Sequence, residues 1–228
     1  MKILAIGEDQ RLKELKQKIG SEHEVTYAEE ITETPALSLF DLIIDLNLDD
    51  TAHLLKSYSD LSGKMIIVCA VKVSLAEYHF MMNHSVKCIL IGMNLLPTFI
   101  GRPISEISFF KPADEELFRT FMKPLEWNYL RVQDRVGMVT PRVISMIINE
   151  ACFTLQEGTA SILDIEKAMR LGTNYSYGPF EWCNRIGIRN VYETLLSIYK
   201  DTHDPRYKIC PLLHDKYLRN ELFITTSN

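Results

Sequence analysis

Gly7 closes the short apolar run Lys2 to Ile6, and Glu8-Asp9-Gln10-Arg11-Leu12 follows it into a stretch where Leu12, Leu15 and Ile19 recur at helical spacing. A strand, a glycine turn and a helix start, in that order, can cradle a diphosphate. Glycines let the backbone approach it, and the helix start offers free N–H groups. The full G-x-G-x-x-G turn needs three glycines, and only Gly7 is present. Glu8 and Asp9 bring two negative charges to the place a diphosphate would take, where like charges repel. The same two acids suit a helix N-terminus, complementing its dipole and capping its N–H groups. Glu29 follows the next apolar run, Glu24 to Ala28, at the distance where such folds place an acid on a ribose hydroxyl. Gly7 and Glu29 are thus the two candidate positions for holding a dinucleotide.

Other chemistries find little support. The five cysteines, Cys69, Cys88, Cys152, Cys183 and Cys210, are widely spaced and form no C-x-x-C pair, which argues against a disulfide framework and a zinc site. Cys69 and Cys88 lie in apolar runs and are expected to be buried thiols. The six histidines make no H-x-x-x-H or H-E-x-x-H pattern, so no metal is expected. A net charge of −5 without a basic stripe speaks against nucleic acid as a partner. The start of the chain turns polar too soon for a signal peptide, and no run approaches the length of a membrane span. A reducing, cytoplasmic setting with no membrane partner is the expectation.

The elements that must position these residues fall into two groups. With 228 residues, 46% of them hydrophobic, the chain makes one large domain or two small ones. Strands are expected at 2–6, 24–28, 40–46, 64–73, 86–92 and 104–110, with helices at 8–19, 51–58 and 74–82 between them. Strands apolar throughout that alternate with short helices predict a compact, Rossmann-like, doubly wound α/β sheet covered on both faces. The pattern changes near Asp134. Val143, Ile144, Ile147, Ile148, Ala151 and Leu155 predict a helix over 141–157 that Gly158 stops. Ser161 caps a second over 161–171, ended by Gly172, and a third runs over 190–200. The expected domains are 1–133, α/β, and 134–228, all-helical.

The helical part carries a specific resemblance. Asn149-Glu150-Ala151, Glu157-Gly158, Ala160-Ser161, Asp164-Ile165, Ala168-Met169, the turn Gly178-Pro179-Phe180-Glu181, Ile186-Gly187 and Arg206 to Leu213 stand in order and at matching spacing. Together they resemble the C-terminal domain of 3-hydroxyacyl-CoA dehydrogenases. The resemblance implies an NAD-binding Rossmann domain ahead of a helical domain that often forms the dimer contact. It also implies a histidine that takes the substrate's hydroxyl proton and a glutamate twelve residues later that orients it. On this alignment Met93 follows the family, Asn94 replaces the histidine, and Glu106 stands at the glutamate position. Asparagine hydrogen-bonds a carbonyl or hydroxyl but accepts no proton near neutral pH. His79 and His84 lie in or beside the preceding helix and are not expected to substitute. Val73 stands at the family's substrate-binding serine, with Ser74 one position off, and Pro141 replaces an asparagine ahead of Arg142. The tail from Asp215 also lacks the family's glycine-rich ending.

Loss of the glycines, the histidine, the serine and the asparagine together predicts a family member without normal NAD-dependent dehydrogenase activity. Such a protein would bind a thioester or other ligand in the interdomain cleft, or serve as an accessory subunit. The alternative is a divergent active 3-hydroxyacyl-CoA (3-hydroxybutyryl-CoA) dehydrogenase of fatty-acid metabolism. No cofactor is expected on the first reading and NAD on the second. An acyl-CoA-like small molecule and a second copy, joined through the helical domain, are the expected partners.

Overall fold

The computed structural model describes residues 1–20 and 23–225. The chain divides into two compact units, Met1–Met138 and Val139–Asn228.

The first unit is built on one seven-stranded sheet in the order β2-β1-β3-β4-β5-β6-β7. Its strands are β1 (Lys2–Ile6), β2 (Glu24–Ala28), β3 (Leu42–Asp45), β4 (Met65–Cys69), β5 (Ile89–Met93), β6 (Ser105–Phe109) and β7 (Tyr129–Arg131). The five strands from β2 to β5 are parallel; β6 runs antiparallel to β5, and β7 parallel to β6. Strands β3 and β4 are buried at every residue, as unbroken Leu-Ile-Ile and Met-Ile-Ile-Val runs require when both faces are covered. The doubly wound α/β expectation holds. A doubly wound sheet of the usual 3-2-1-4-5-6 order carries a further strand beyond the second. Here β2 is the edge. Between β2 and β3 lie only two 3₁₀ turns, Ile31–Glu33 and Leu37–Leu39, and the described residues hold no strand there. That segment is about as short as a single parallel crossover allows, which leaves no room for an extra strand.

Helices α1 (Asp9–Ile19) and α2 (Leu75–Met81) form as expected, α2 behind a capping box of Ser74 and Glu77. The helix expected over 51–58 is instead a 3₁₀ segment, Ala52–Ser57. A three-residue period stacks Leu55 directly over Tyr58, and both are fully buried. Helix α3 (Pro112–Met122) and strand β7 went unread in the sequence. In α3 only Phe118 and Met122 turn inward, a stripe too narrow to stand out among charged neighbours.

The second unit is all-helical: α4 (Thr140–Gln156), α5 (Ile162–Thr173), α6 (Pro179–Ile186), α7 (Ile188–Thr202) and α8 (Pro211–Arg219). Gly172 does not end α5. The helix runs on to Thr173, and Asn174 supplies the left-handed cap at φ 56. The Gly178-Pro179-Phe180-Glu181 turn is the start of α6, with Pro179 in its first turn. Ile148 and Cys152 of α4, Phe180 and Cys183 of α6, and Val191, Leu195 and Ile198 of α7 are all fully buried in this unit. No helix among the described residues is long and apolar enough to cross a membrane.

Candidate functional site

In an open α/β sheet the ligand crevice lies outside the carboxyl ends of the strands, where the strand order reverses. Here that point falls between β1 and β3, since the chain leaves β1 for β2 on one side and returns to β3 on the other. Gly7 follows β1, and its N–H donates to the carbonyl of Ala28 at 3.1 Å. A Cβ at Gly7 would lie 2.8 Å from Cβ of Leu46, so the glycine lets the β1 turn close onto the end of β3.

The side chain that fills this point is Arg11, 1% exposed in the first turn of α1. Its Nε donates to Glu8 Oε1 at 2.9 Å, and its Nη1 donates to the carbonyl of Leu46. Its Nη2 lies 3.4 Å from Asp50 Oδ2, and Nη1 lies 4.0 Å from Asp49 Oδ1. Asp50 also accepts from Nζ of Lys72. Asp49 Oδ2 accepts from the Cys69 thiol at 3.1 Å and from the N–H of Lys72 at 3.2 Å. One arginine, two aspartates and one lysine therefore join the carboxyl ends of β1, β3 and β4. Burial works against the Arg11 charge, but the carboxylates of Asp49, Asp50 and Glu8 around it raise its pKa on balance. Burial pushes the Cys69 thiol well up, and Asp49 adds to the shift.

Glu8 does not cap α1 as expected. Its carboxylate is engaged by Arg11, and Asp9 pairs with exposed Lys13 at 2.6 Å. Glu29 is exposed at the end of β2 and lines a cavity of about 470 Å³ with Glu8, Glu30, Asp45, Asn47 and His53. Asp45 is buried. Its Oδ2 accepts from the Tyr58 hydroxyl at 2.7 Å and its Oδ1 from the N–H of Asn47 at 3.0 Å. Burial outweighs both bonds and pushes its carboxyl up to about 6. A dinucleotide's diphosphate does not fit these residues. Two of the three glycines it needs are absent, the crevice holds Arg11 with its own counter-ions, and the adjoining cavity is lined by carboxylates.

Farther along the same edge, Asn94 follows β5 and its N–H donates to the carbonyl of Glu106 at 3.1 Å. Met93 pairs with Ile107, so the antiparallel register sets Asn94 opposite Glu106. Twelve residues of sequence separation become cross-strand neighbours. Asn94 is buried, and its Oδ1 accepts from the N–H of Leu96 at 3.4 Å. Gly7 with Glu29 and Asn94 with Glu106 thus form two pairs on one edge of the sheet, with β3 and β4 between them. Val73 packs against the apolar cluster under the sheet. The Ser74 hydroxyl accepts from the N–H of Glu77 and caps α2. His79 is buried in α2 with its ring stacked 3.9 Å from Phe110, and burial, with Lys111 and His84 nearby, lowers its pKa.

The motif residues of the second unit have structural work. Asn149 on α4 donates to the carbonyl of Lys208 at 2.9 Å and accepts from the N–H of Cys210 at 2.8 Å, tying the segment before α8 to α4. Arg142 donates to the Tyr207 hydroxyl at 3.0 Å. The Glu166 carboxylate accepts from the N–H groups of Phe180 at 2.6 Å and Glu181 at 3.2 Å, capping α6 from a different helix. A Cβ at Gly178 would lie 2.0 Å from that carboxylate, so the glycine keeps its place open. Asn184 exchanges two hydrogen bonds with the backbone of Phe223, at 2.8 and 3.0 Å, which pins the tail beyond α8. Residues 226–228 of that tail lie outside the described residues.

Arg11, Asp49, Asp50, Lys72 and Glu166 were missed in the sequence. The signal for the first four is the acidic pair that ends Asp45-Leu46-Asn47-Leu48-Asp49-Asp50, directly after a buried strand, together with an arginine inside a would-be phosphate turn.

Residues 137–226 match the family model described as 3-hydroxyacyl-CoA dehydrogenase, C-terminal domain. The chain is 42% identical over 89 residues to the 3-hydroxyadipyl-CoA dehydrogenase of Escherichia coli (strain K12), a match covering 39% of this chain and 19% of that protein. It is 33% identical over 131 residues to a 3-hydroxybutyryl-CoA dehydrogenase of Clostridioides difficile, covering 57% of this chain and 44% of that one. Both matches span less than half of the relative. The solved structure of M. tuberculosis FadB2 superposes over 96% of this chain and 94% of its own, with a TM-score of 0.74 at 14% identity. At that identity the likeness is one of fold.

Proposed function

We propose, on the premise that the chain belongs to the 3-hydroxyacyl-CoA dehydrogenase family through its helical unit, that it recognises 3-hydroxyacyl-CoA-type thioesters. The observation that carries this reading is the match of residues 137–226, which takes in nearly the whole second unit. The relatives are dehydrogenases, and this weighs for a divergent oxidoreductase over a protein without turnover. In such an enzyme the amide of Asn94 hydrogen-bonds the substrate's carbonyl or hydroxyl, with Glu106 as its cross-strand neighbour. Asn94 moves no proton, and loss of a positioned base slows such a step by roughly 10²–10⁴-fold. One observation favours the second reading, recognition without NAD-dependent turnover: the buried Arg11 at the place a diphosphate would take.

Two measurements test these readings. Calorimetric titration with acetoacetyl-CoA in the absence of nucleotide is expected to show saturable binding, weakened about tenfold in Asn94→Ala, in keeping with the loss of one hydrogen bond of about 1.4 kcal/mol. Absence of binding in the wild type would defeat the proposal. NADH consumption with acetoacetyl-CoA then separates its two versions. Turnover abolished by Glu106→Gln supports the divergent dehydrogenase, and no turnover in a chain that binds the thioester supports recognition alone.

A further inference from the structure

We infer that the crevice at the carboxyl ends of β1, β3 and β4 is closed to a nicotinamide dinucleotide because the chain's own Arg11–Asp49–Asp50–Lys72 network occupies it. The inference goes beyond thioester recognition and does not depend on it, and of the two versions above it sides with recognition without NAD-dependent turnover.

Three independent features converge on this point. The first is occupancy. The Arg11 guanidinium, at the start of α1, spans to the carbonyl of Leu46 just past β3, so the helix start that would face a phosphate faces an arginine instead. The second is charge. The Arg11, Asp49 and Lys72 side chains are 1%, 0% and 4% exposed, and Asp50 is 15% exposed. The two cations and two anions balance each other, so Arg11 is not a vacant phosphate ligand. A diphosphate drawing it away would take the cation from buried Asp49 and leave Asp50 to Lys72 alone. Displacing one member of a buried ion network weakens any ligand that must do so by roughly a hundred-fold or more. The third is backbone approach. The β1 turn is pressed onto Leu46, with 2.8 Å between that residue's Cβ and the position of a Gly7 Cβ, so the one glycine of the turn is used in packing onto the end of β3.

The adjoining cavity does not rescue the site. It lies at the ends of β1, β2 and β3, and Glu8, Glu29, Glu30 and Asp45 line it. The strand that would extend this half of the sheet beyond β2 is absent among the described residues.

The experiment is a titration of the full chain with NADH to about 1 mM, a range in which even weak nucleotide binding shows. It is followed by NADH fluorescence and by thermal melting. The wild type is expected to show neither saturation nor a shift in Tm; saturable binding below about 1 mM would overturn the inference. A second protein, Glu8→Gln with Asp9→Asn, removes two negative charges from the helix start, while the amide oxygen at position 8 can still accept from Arg11 Nε and Asp49, Asp50 and the Leu46 carbonyl stay in place. Both side chains are largely exposed, which makes the fold tolerant of the change. It too is expected not to bind. A gain of tenfold or more in NADH affinity would mean that surface repulsion, not occupancy, excludes the nucleotide, and the inference would fall. The acetoacetyl-CoA titration is independent. A chain that binds the thioester but not NADH satisfies this inference and thioester recognition while ending the divergent-dehydrogenase version of it, and one that binds neither defeats thioester recognition alone.

Discussion

Arg11 shows how one residue can turn a ligand crevice into part of the core. Removing it takes away the cation 4.0 Å from Asp49 Oδ1, a buried atom that accepts no hydrogen bond, and leaves Asp50 paired with Lys72. Arg11→Met is therefore expected to lose about 3–5 kcal/mol of stability in urea unfolding, the range for stranding a buried charge. A loss under about 1 kcal/mol would mean that the network does not hold the strand ends together. Asp45 makes a different prediction. Its carboxyl is raised from 3.8 to about 6, so the folded chain keeps a proton that the unfolded chain has released. The stabilisation this gives is complete below about pH 4 and is lost as the pH rises through about 6. In Asp45→Asn that decline should vanish from the pH profile of stability, and an unchanged slope would assign it to other groups. The amide still accepts from Asn47, and its NH₂ can donate to the Tyr58 oxygen. At this scale the sequence was least legible. Gly7, Glu29, Asn94 and Glu106 were singled out as candidates because patterns place such residues at fixed spacings. Arg11 was not, because its partners lie on a loop far along the chain and only the fold brings them together.

The α6 start is the clearest case at the level of elements. A helix beginning Gly178-Pro179-Phe180 has no capping side chain of its own, and Glu166 supplies one from α5. Glu166→Ala should cost about 1–3 kcal/mol, since it leaves two N–H groups without their acceptor at a partly buried end. Gly178→Ala should cost a similar amount, because its Cβ would force the same carboxylate out of place. The two losses share one cause, so the double variant is expected to lose clearly less than their sum in a double-mutant cycle. Strict additivity would break the link. In the sequence, Gly-Pro reads as a turn, and the structure keeps the bend but continues it as helix. Gly172 misleads in the opposite way: a glycine near a helix end reads as a stop, yet one inside the last turn is tolerated at about 1 kcal/mol when other residues continue the helix. Helix positions were otherwise legible because the apolar faces of α4, α5 and α7 are wide and regular. Strand β7 is three residues long and exists through its pairing with β6, which no local pattern can announce.

For the molecule as a whole, the α/β-then-helical plan was legible from burial patterning alone, because fully apolar strands and amphipathic helices differ in period. The missing outer strand was not, since an absence leaves no motif. Burial also gives the two units a property of another kind. All five cysteines are free and buried, Cys69 and Cys88 in the first unit and Cys152, Cys183 and Cys210 in the second. Burial raises every one of these thiols, Cys88 to about 12. A thiol that is both walled off and protonated reacts with an alkylating reagent only when its surroundings open. The chain thus carries two native stopwatches, one per unit, readable by mass spectrometry after timed labelling. Arg11→Met should speed alkylation of Cys69 several-fold and leave Cys183 at its wild-type rate, whereas Glu166→Ala should do the reverse. If either change hastened both sites equally, the two units would open as one cooperative body.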